Sequence, residues 1–179
     1  MVSRKYTSDY TLETYMDGRG RLRERASYTG SYYEFCNDSA SIRRSTWILA
    51  IGFTVLALCV FVPLIFGGEY AKQMYVFLPL AFGLIPLYLL AAAFRRILMV
   101  KGPVIREHKD KIVARLNTAA AFMLIVSVLN LAAAVVYFIA VKPDWAMGAF
   151  AVLGLCQSVQ LFSFKKAFAM KEAPKNSEH

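Results

Sequence analysis

Four segments of this sequence contain no Asp, Glu, Lys, Arg or His, and each is 20 to 24 residues long. They cover residues 46–66, 74–94, 118–141 and 145–164. About 20 apolar residues in an α-helix are enough to cross the hydrocarbon core of a bilayer, which is about 30 Å thick. The sequence therefore predicts an all-α membrane protein with four transmembrane helices. An ordinary soluble enzyme, a disordered chain and a protein with a single membrane anchor are all excluded.

The connections between these segments organise the predicted spans into two helical hairpins. Residues 67–73 join the first and second spans, and residues 142–144 join the third and fourth. The first helical hairpin contains Pro63, Pro79 and Pro86, and each proline removes a backbone donor and can kink its helix. Broken helices mark binding sites in some transporters, but prolines are also ordinary in membrane helices. We favour the structural interpretation of these prolines.

The net charge of +9 is distributed unevenly between the two sides of these spans. Residues 1–45, 95–117 and 165–179 carry net charges of +2, +5 and +2, whereas both short connections are neutral overall. Because loops rich in Lys and Arg remain in the cytoplasm, we expect both termini and the 95–117 loop to be cytoplasmic. This orientation bias accounts for the basic residues, so we predict no nucleic-acid partner.

The predicted organisation is a cytoplasmic N-terminal segment of residues 1–45, a membrane domain of residues 46–166 and a cytoplasmic tail of residues 167–179. Because a polar segment precedes the first apolar run, we expect that run to be retained as a helix rather than removed as a signal peptide. The expected location is the cell (plasma) membrane of a bacterium, with the lipid bilayer as a partner. Basic residues at the cytoplasmic ends of the spans predict contacts with anionic lipids. They are Arg95, Arg96, Lys101, Lys165 and Lys166.

Residues 103–117 have the pattern of a helix that leads into the third span. Pro103 suits the first turn of such a helix. Opposite charges four residues apart, Arg106 with Asp110 and Glu107 with Lys111, predict ion pairs along its surface. The helix either continues the third span into the cytoplasm as a solvated segment or lies in the membrane interface.

The N-terminal segment predicts a small cytoplasmic β-hairpin at about residues 9–29. A three-residue loop at residues 18–20 contains two glycines, and either glycine supplies the left-handed conformation that such a loop needs. This register collects most apolar side chains on one face and places Glu13, Arg23 and Arg25 on the other, with Thr14 opposite Glu24 as the one poor match on the apolar face. Such segregation normally fixes a register. The predicted interaction surface consists of Tyr10, Leu12, Met16, Leu22 and Tyr28.

The apolar face of this β-hairpin needs a cover, because an isolated two-stranded hairpin is only marginally stable in water. We expect the face to rest on the cytoplasmic end of the chain's own helices. The alternatives are the bilayer surface, a second copy of the chain, or a partner protein that the hairpin recruits.

Few polar side chains lie inside the predicted spans, and three of them are amides: Asn130, Gln157 and Gln160. Amide side chains in membrane helices commonly form hydrogen bonds between helices, so interhelical contact is their expected role. A polar pocket for a small ligand is the alternative. Gly154 and Ser158 are four residues apart, and this pattern of small residues predicts the close approach of another helix.

Patterns for catalysis, cofactor binding or metal binding are absent from the sequence. Cys36, Cys59 and Cys156 are scattered and lack the spacing of a zinc site. The spans also lack the buried charge that proton-coupled or cation-coupled transport usually needs. We therefore expect a protein that is not an enzyme and needs no cofactor, namely an accessory, scaffold or interaction subunit. A small transporter or channel component without charge coupling is the alternative, and an enzyme acting on lipid comes third.

Overall fold

The computed structural model describes residues 4–18, 21–100 and 102–173 of the chain. Within this part, four helical stretches are long and apolar enough to cross a membrane. They are Ser39–Phe66, Met74–Met99, Arg106–Ala140 and Trp145–Phe168. The prediction of four apolar helices of spanning length is therefore confirmed, and the protein is mostly helical.

The elements are labelled in chain order. The helices are α1 (Ser39–Phe66), α2 (Glu69–Lys72), α3 (Met74–Phe82), α4 (Leu84–Met99), α5 (Arg106–Ala140) and α6 (Trp145–Phe164). The strands are β1 (Tyr10–Met16), β2 (Leu22–Tyr28), β3 (Tyr32–Phe35), β4 (Val104–Ile105) and β5 (Met170–Glu172). Short 3-10 helices cover Arg4–Asp9 and Lys165–Phe168.

The long helices form a bundle in which α5 packs against α3, α4 and α6, and α1 packs against α4 and α6. One core cluster includes Leu90, Leu116 and Met123, which are almost completely buried. A second cluster, which includes Tyr70 and Tyr137, lies nearer the short connections. The long helices thus bury one side of each element against its neighbours.

The outside of this bundle is also apolar. Large side chains such as Phe61, Ile125 and Ile139 are 47%, 58% and 80% exposed. Soluble proteins rarely expose contiguous apolar surface on this scale, because water penalises it. In a bilayer the same side chains contact lipid tails, so the exposed apolar surface agrees with the membrane environment inferred from helix length.

The second span is interrupted, because α3 and α4 are separated at Gly83. Pro86 explains the break, since a continuous helix would leave the Phe82 carbonyl without its N–H donor. In α4, Pro86 lies in the first turn, where no such donor is needed. A Cβ at Gly83 would lie 3.1 Å from a methyl group of Val60, so α1 approaches closely at the break. Pro63 lies inside α1 without interrupting it.

The β-hairpin formed by β1 and β2 has the predicted register. The strands pair in antiparallel fashion from Tyr10 opposite Tyr28 to Met16 opposite Leu22. Residues 19–20 of the predicted loop lie outside the described residues. The pairing agrees with the alternation of apolar and polar side chains, which Thr14 opposite Glu24 interrupts once.

A three-stranded sheet, which the sequence did not predict, forms at one end of the bundle. β3 lies in its centre, with β4 on one side and β5 on the other. Tyr32 pairs with Ile105, and Phe35 pairs with Met170. The sheet therefore joins the segment before α1, the connection between α4 and α5, and the segment after α6.

The predicted start of a helix at Pro103 is wrong. Val104 and Ile105 form β4, and α5 begins at Arg106. β-branched residues favour strands, and these two pair with an edge of β3 instead of extending the helix. From Arg106, α5 runs without interruption for 35 residues, a length of about 52 Å. The prediction that this segment leads directly into the third span is confirmed.

Candidate interaction surface and polar sites

The base of the β-hairpin is fastened to the start of α5 through Tyr28. The Tyr28 hydroxyl donates to the carbonyl of Ser31 at 2.8 Å and accepts from the backbone N–H of Arg106 at 3.1 Å. Its ring makes edge-on contacts with Tyr10 and Tyr32, each at a centroid distance of 5.2 Å. Burial raises the pKa of the Tyr28 hydroxyl above its ordinary value. The hydroxyl therefore remains protonated at neutral pH, as its role as a donor requires.

The chain that precedes the hairpin is held against α5 as well. The hydroxyl of Tyr6, a buried residue, donates to a carboxylate oxygen of Asp110 at 3.0 Å. The guanidinium of Arg106 lies 3.9 Å from the carboxylate of Asp9. The first turns of α5 thus receive polar contacts from the N-terminal segment, which fixes the direction in which the hairpin leaves the bundle.

The apolar face of the hairpin is uncovered toward its tip. Leu12, Met16 and Leu22 are 72%, 71% and 71% exposed, whereas Tyr10 and Tyr28 at the base are half-buried. The expectation that the hairpin rests on its own helices therefore holds for the base alone. Exposed apolar patches on an ordered element are typical of surfaces that bind another molecule.

The opposite face of the hairpin is polar and rich in arginine. Arg23 and Arg25 lie on the same side of β2, because side chains two residues apart point the same way. They pair across the strands with Tyr15 and Glu13, and Arg23 also makes an ion pair with Asp17 at 3.0 Å. The hairpin therefore presents an apolar face and a basic face in opposite directions.

The three predicted amides lie at two separate places in the bundle. Asn130 lines a cavity of about 10 Å³, and its Oδ1 is buried without a hydrogen-bond partner in the described part of the chain. Gln157 and Gln160 line a different cavity, of about 20 Å³, between α1 and α6. Each cavity has room for about one water molecule. The three side chains thus do not share one pocket.

A buried polar contact between α5 and α6 is made by serines. The hydroxyl oxygens of Ser127 and Ser158 are 2.7 Å apart, and Ser158 also donates to the carbonyl of Gly154 at 2.8 Å. A Cβ at Gly154 would lie 3.4 Å from the Cβ of Cys59 on α1. The close approach predicted from Gly154 and Ser158 is therefore present. The spacing of small residues in α6 therefore predicted close helix packing, whereas the amide side chains did not indicate which residues form it.

The residues predicted to contact anionic lipids lie in different parts of the structure. Arg95 and Arg96 line a groove of about 640 Å³ beside α4. Lys165 and Lys166 follow α6 in a short 3-10 helix, where the Lys165 ammonium lies over an aromatic ring 3.8 Å away. Lys101 lies outside the described residues. Of this set, the structure brings Arg95 and Arg96 together in a concave site.

The two short connections meet at the other end of the bundle. The ammonium of Lys142 donates to a carboxylate oxygen of Glu69 at 3.0 Å. Tyr70 packs edge-on against Tyr137 with ring centroids 4.9 Å apart, and burial raises the pKa of Tyr70 to about 12. Asp144 caps α6 by accepting from an N–H in its first turn at 3.1 Å. These contacts hold the two short connections together at this end of the bundle.

Neither a metal cluster among the described residues nor a similarity to a known protein points to a function. Among the described residues, no group of three or more His, Cys, Asp or Glu side chains is arranged to hold a metal ion. Comparisons of the chain with protein-family models, curated proteins and solved structures find no match. The features of this chain that bear on function are the exposed hairpin, the interior contacts and the basic groove.

Proposed function

We propose that this protein is a non-catalytic accessory or scaffold subunit of the membrane that binds a partner protein through its N-terminal hairpin. The observation that carries the proposal is the exposure of Leu12, Met16 and Leu22 on a hairpin whose base is fixed to α5. A surface that is already ordered loses little conformational entropy on binding, and this favours association.

The proposal includes an orientation. We place the hairpin, the three-stranded sheet and both termini in the cytoplasm, with the helices in the plasma membrane, because the basic segments remain inside by the positive-inside rule. Topology reporters fused at residues 70 and 143 should be active on the outer side. Cytoplasmic activity of a reporter at either position would contradict this orientation.

A transporter or channel component is the less supported alternative. It would use Asn130, Gln157 and Gln160, but these residues line two cavities of about 10 and 20 Å³. A conduction path needs a continuous polar surface, and two cavities of about one water molecule each do not supply one. Flux through proteoliposomes that Asn130→Leu and Gln157→Leu abolish would restore this alternative.

Site-specific photo-crosslinking in cells tests the accessory role. A photoreactive amino acid at Leu22 should give one discrete adduct between this chain and a second protein. The adduct should disappear when Leu12→Ser and Met16→Ser are introduced together, because the apolar contact is lost. As a matched control, Tyr15→Ser changes an exposed side chain of the opposite face and should leave the adduct in place.

Three other outcomes would contradict the proposal. Adducts with lipid alone would mean that the bilayer surface covers the apolar face. Adducts between two copies of this chain alone would replace the partner protein with self-association. The absence of any adduct in cells would remove the interaction role.

A further inference from the structure

A groove between α4 and α5 combines an apolar floor with a basic rim. On the α4 side it is lined by residues that share one helical face, since their spacing of three or four residues repeats the helix period. They are Tyr88, Ala91, Ala92, Arg95, Arg96 and Met99. The small side chains of Ala91 and Ala92 leave room for the groove. Arg95 and Arg96, one helical turn further along α4, form its basic end. The volume of about 640 Å³ is in the ordinary range for a small-ligand site.

The α5 side of the groove has the same character. His108, Ile112 and Arg115 line it, and their spacing places them on one face of α5. The acidic residues of these turns are engaged elsewhere, because Glu107 pairs with Lys111, as predicted, and Asp110 receives the Tyr6 hydroxyl. Helical geometry therefore separates the charges of α5, so that the groove receives basic side chains and no carboxylate.

Arg96 and Arg115 of the groove have no carboxylate partner among the described residues. Arg96 and Arg115 are half-buried, and within residues 4–18, 21–100 and 102–173 no carboxylate forms an ion pair with either of them. Arg106, by contrast, lies on the N-terminal segment's side of α5 and reaches Asp9. Guanidinium groups that are partly removed from water without a carboxylate are suited to an external anion, and their fork of donors matches phosphate oxygens.

We propose that this groove binds one anionic phospholipid, with the phosphate of its headgroup between Arg96 and Arg115 and the upper part of an acyl chain along Ala91 and Ala92. The basic rim lies where an apolar span ends, which is the depth of lipid phosphate in a bilayer. The groove continues from this rim to Tyr88 within the uncharged part of α4. A soluble phosphate would leave that apolar part empty, so the combined shape favours a lipid. Basic pockets between membrane helices are known to bind acidic headgroups.

Native mass spectrometry of the full-length protein in detergent tests the site by counting bound lipids. The probe is phosphatidylglycerol, and phosphatidylcholine is the neutral reference. Wild-type protein should retain phosphatidylglycerol in preference to phosphatidylcholine. Combining Arg96→Gln with Arg115→Gln should weaken phosphatidylglycerol binding about tenfold or more, because both charged donors to the phosphate are lost. If this double variant does not fold, Arg115→Gln alone should still weaken binding.

Two comparisons separate the groove from general attraction to a charged surface. Lys165→Gln with Lys166→Gln removes the same charge at the same end of the bundle but outside the groove, and it should keep most of the binding. Ala92→Leu fills the groove without changing charge, and it should weaken phosphatidylglycerol binding. Equal losses in the two charge variants, or full binding by Ala92→Leu, would overturn the proposal.

A soluble competitor distinguishes a lipid site from a site for free phosphate esters. Glycerol phosphate carries the phosphate ester without acyl chains, so it should displace phosphatidylglycerol poorly. Displacement by equal concentrations of glycerol phosphate would overturn the assignment to lipid. Loss of the hairpin adduct in the crosslinking experiment would leave this proposal unaffected, since the groove and the hairpin tip share no residue.

Discussion

The hydroxyl groups of Ser127 and Ser158 are joined by a hydrogen bond of 2.7 Å at the buried contact between α5 and α6. Ser158 is 0% exposed, and its own proton is directed to the carbonyl of Gly154 at 2.8 Å. Because a hydroxyl has one proton to donate, Ser127 must be the donor to Ser158. The two serines therefore form a directed chain that ends on the backbone of α6.

A double-mutant cycle of Ser127→Ala and Ser158→Ala should detect this link. We expect a coupling of about 0.6 kcal/mol, the average for such bonds in membrane helices, and at most about 1.7 kcal/mol. Ser158→Ala alone should cost more than Ser127→Ala alone, because it removes both bonds. The measurement is the free energy of unfolding in lipid or detergent. Ser163→Ala, at an exposed position of α6, is the control, and a coupling of zero would contradict the bond.

Phe168 connects the three-stranded sheet to the bundle, and its truncation should loosen both. The ring is 1% exposed and packs edge-on against Phe35 of β3 and Phe164 at the end of α6. Phe168→Ala should lower the free energy of unfolding by about 3–5 kcal/mol and speed amide exchange in β3. Phe162→Ala provides the comparison, since Phe162 is 40% exposed. Equal losses in the two variants would mean that Phe168 has no special role at this junction.

The parts of the fold that could be predicted are those that a local pattern determines. A bilayer imposes a fixed length of uncharged helix, so the four spans follow from sequence alone. The hairpin register follows from a period of two in each seven-residue strand, which is interrupted once, where Thr14 pairs with Glu24 on the apolar face. β4, by contrast, is two residues long and pairs with a strand some 70 residues earlier. It is too short to show a period in the sequence, so it could not be predicted.

The polar sites were less predictable because helix rotation decides which side chains meet. Asn130 and Gln157 have the longer polar side chains, but the helices turn Ser127 and Ser158 toward each other. Arg95 and Arg96 were predicted to contact anionic lipid. Arg115 lines the same groove because α5 packs along α4, and this packing could not be predicted from the sequence. A sequence pattern assigns residues to one face of one helix, and it does not say which faces of two helices are in contact.

The ion pair between Glu69 and Lys142 gives the short connections a pH dependence. The hydrogen bond from Lys142 lowers the pKa of the Glu69 carboxyl and raises the pKa of the Lys142 ammonium. Protonating Glu69 therefore removes the attraction as the pH falls through its lowered pKa, and deprotonating Lys142 removes it as the pH rises through its raised pKa. The contact is complete between these two values.

Carboxyl NMR titration of Glu69 measures this effect. Lys142→Gln should raise the midpoint of Glu69 toward its ordinary value, since the main cause of the shift is lost. Lys72→Gln should move the midpoint less, because Lys72 makes the smallest contribution to the lowering. An unchanged midpoint in Lys142→Gln would show that the connections do not meet through this pair.

The single hydroxyl of Tyr28 should control how firmly the hairpin is held. Tyr28→Phe keeps the ring contacts with Tyr10 and Tyr32 but removes the bonds to Ser31 and to the N–H of Arg106. Each hydrogen bond contributes about 0.5–1.5 kcal/mol, so losing both should make amides of β1 and β2 exchange about 5- to 160-fold faster in hydrogen–deuterium exchange. The bundle helices should be unaffected. Tyr15→Phe removes a hydroxyl from the exposed part of the hairpin and should leave exchange unchanged. Equal exchange in Tyr28→Phe and wild type would mean that the Tyr28 hydroxyl does not hold the hairpin to α5.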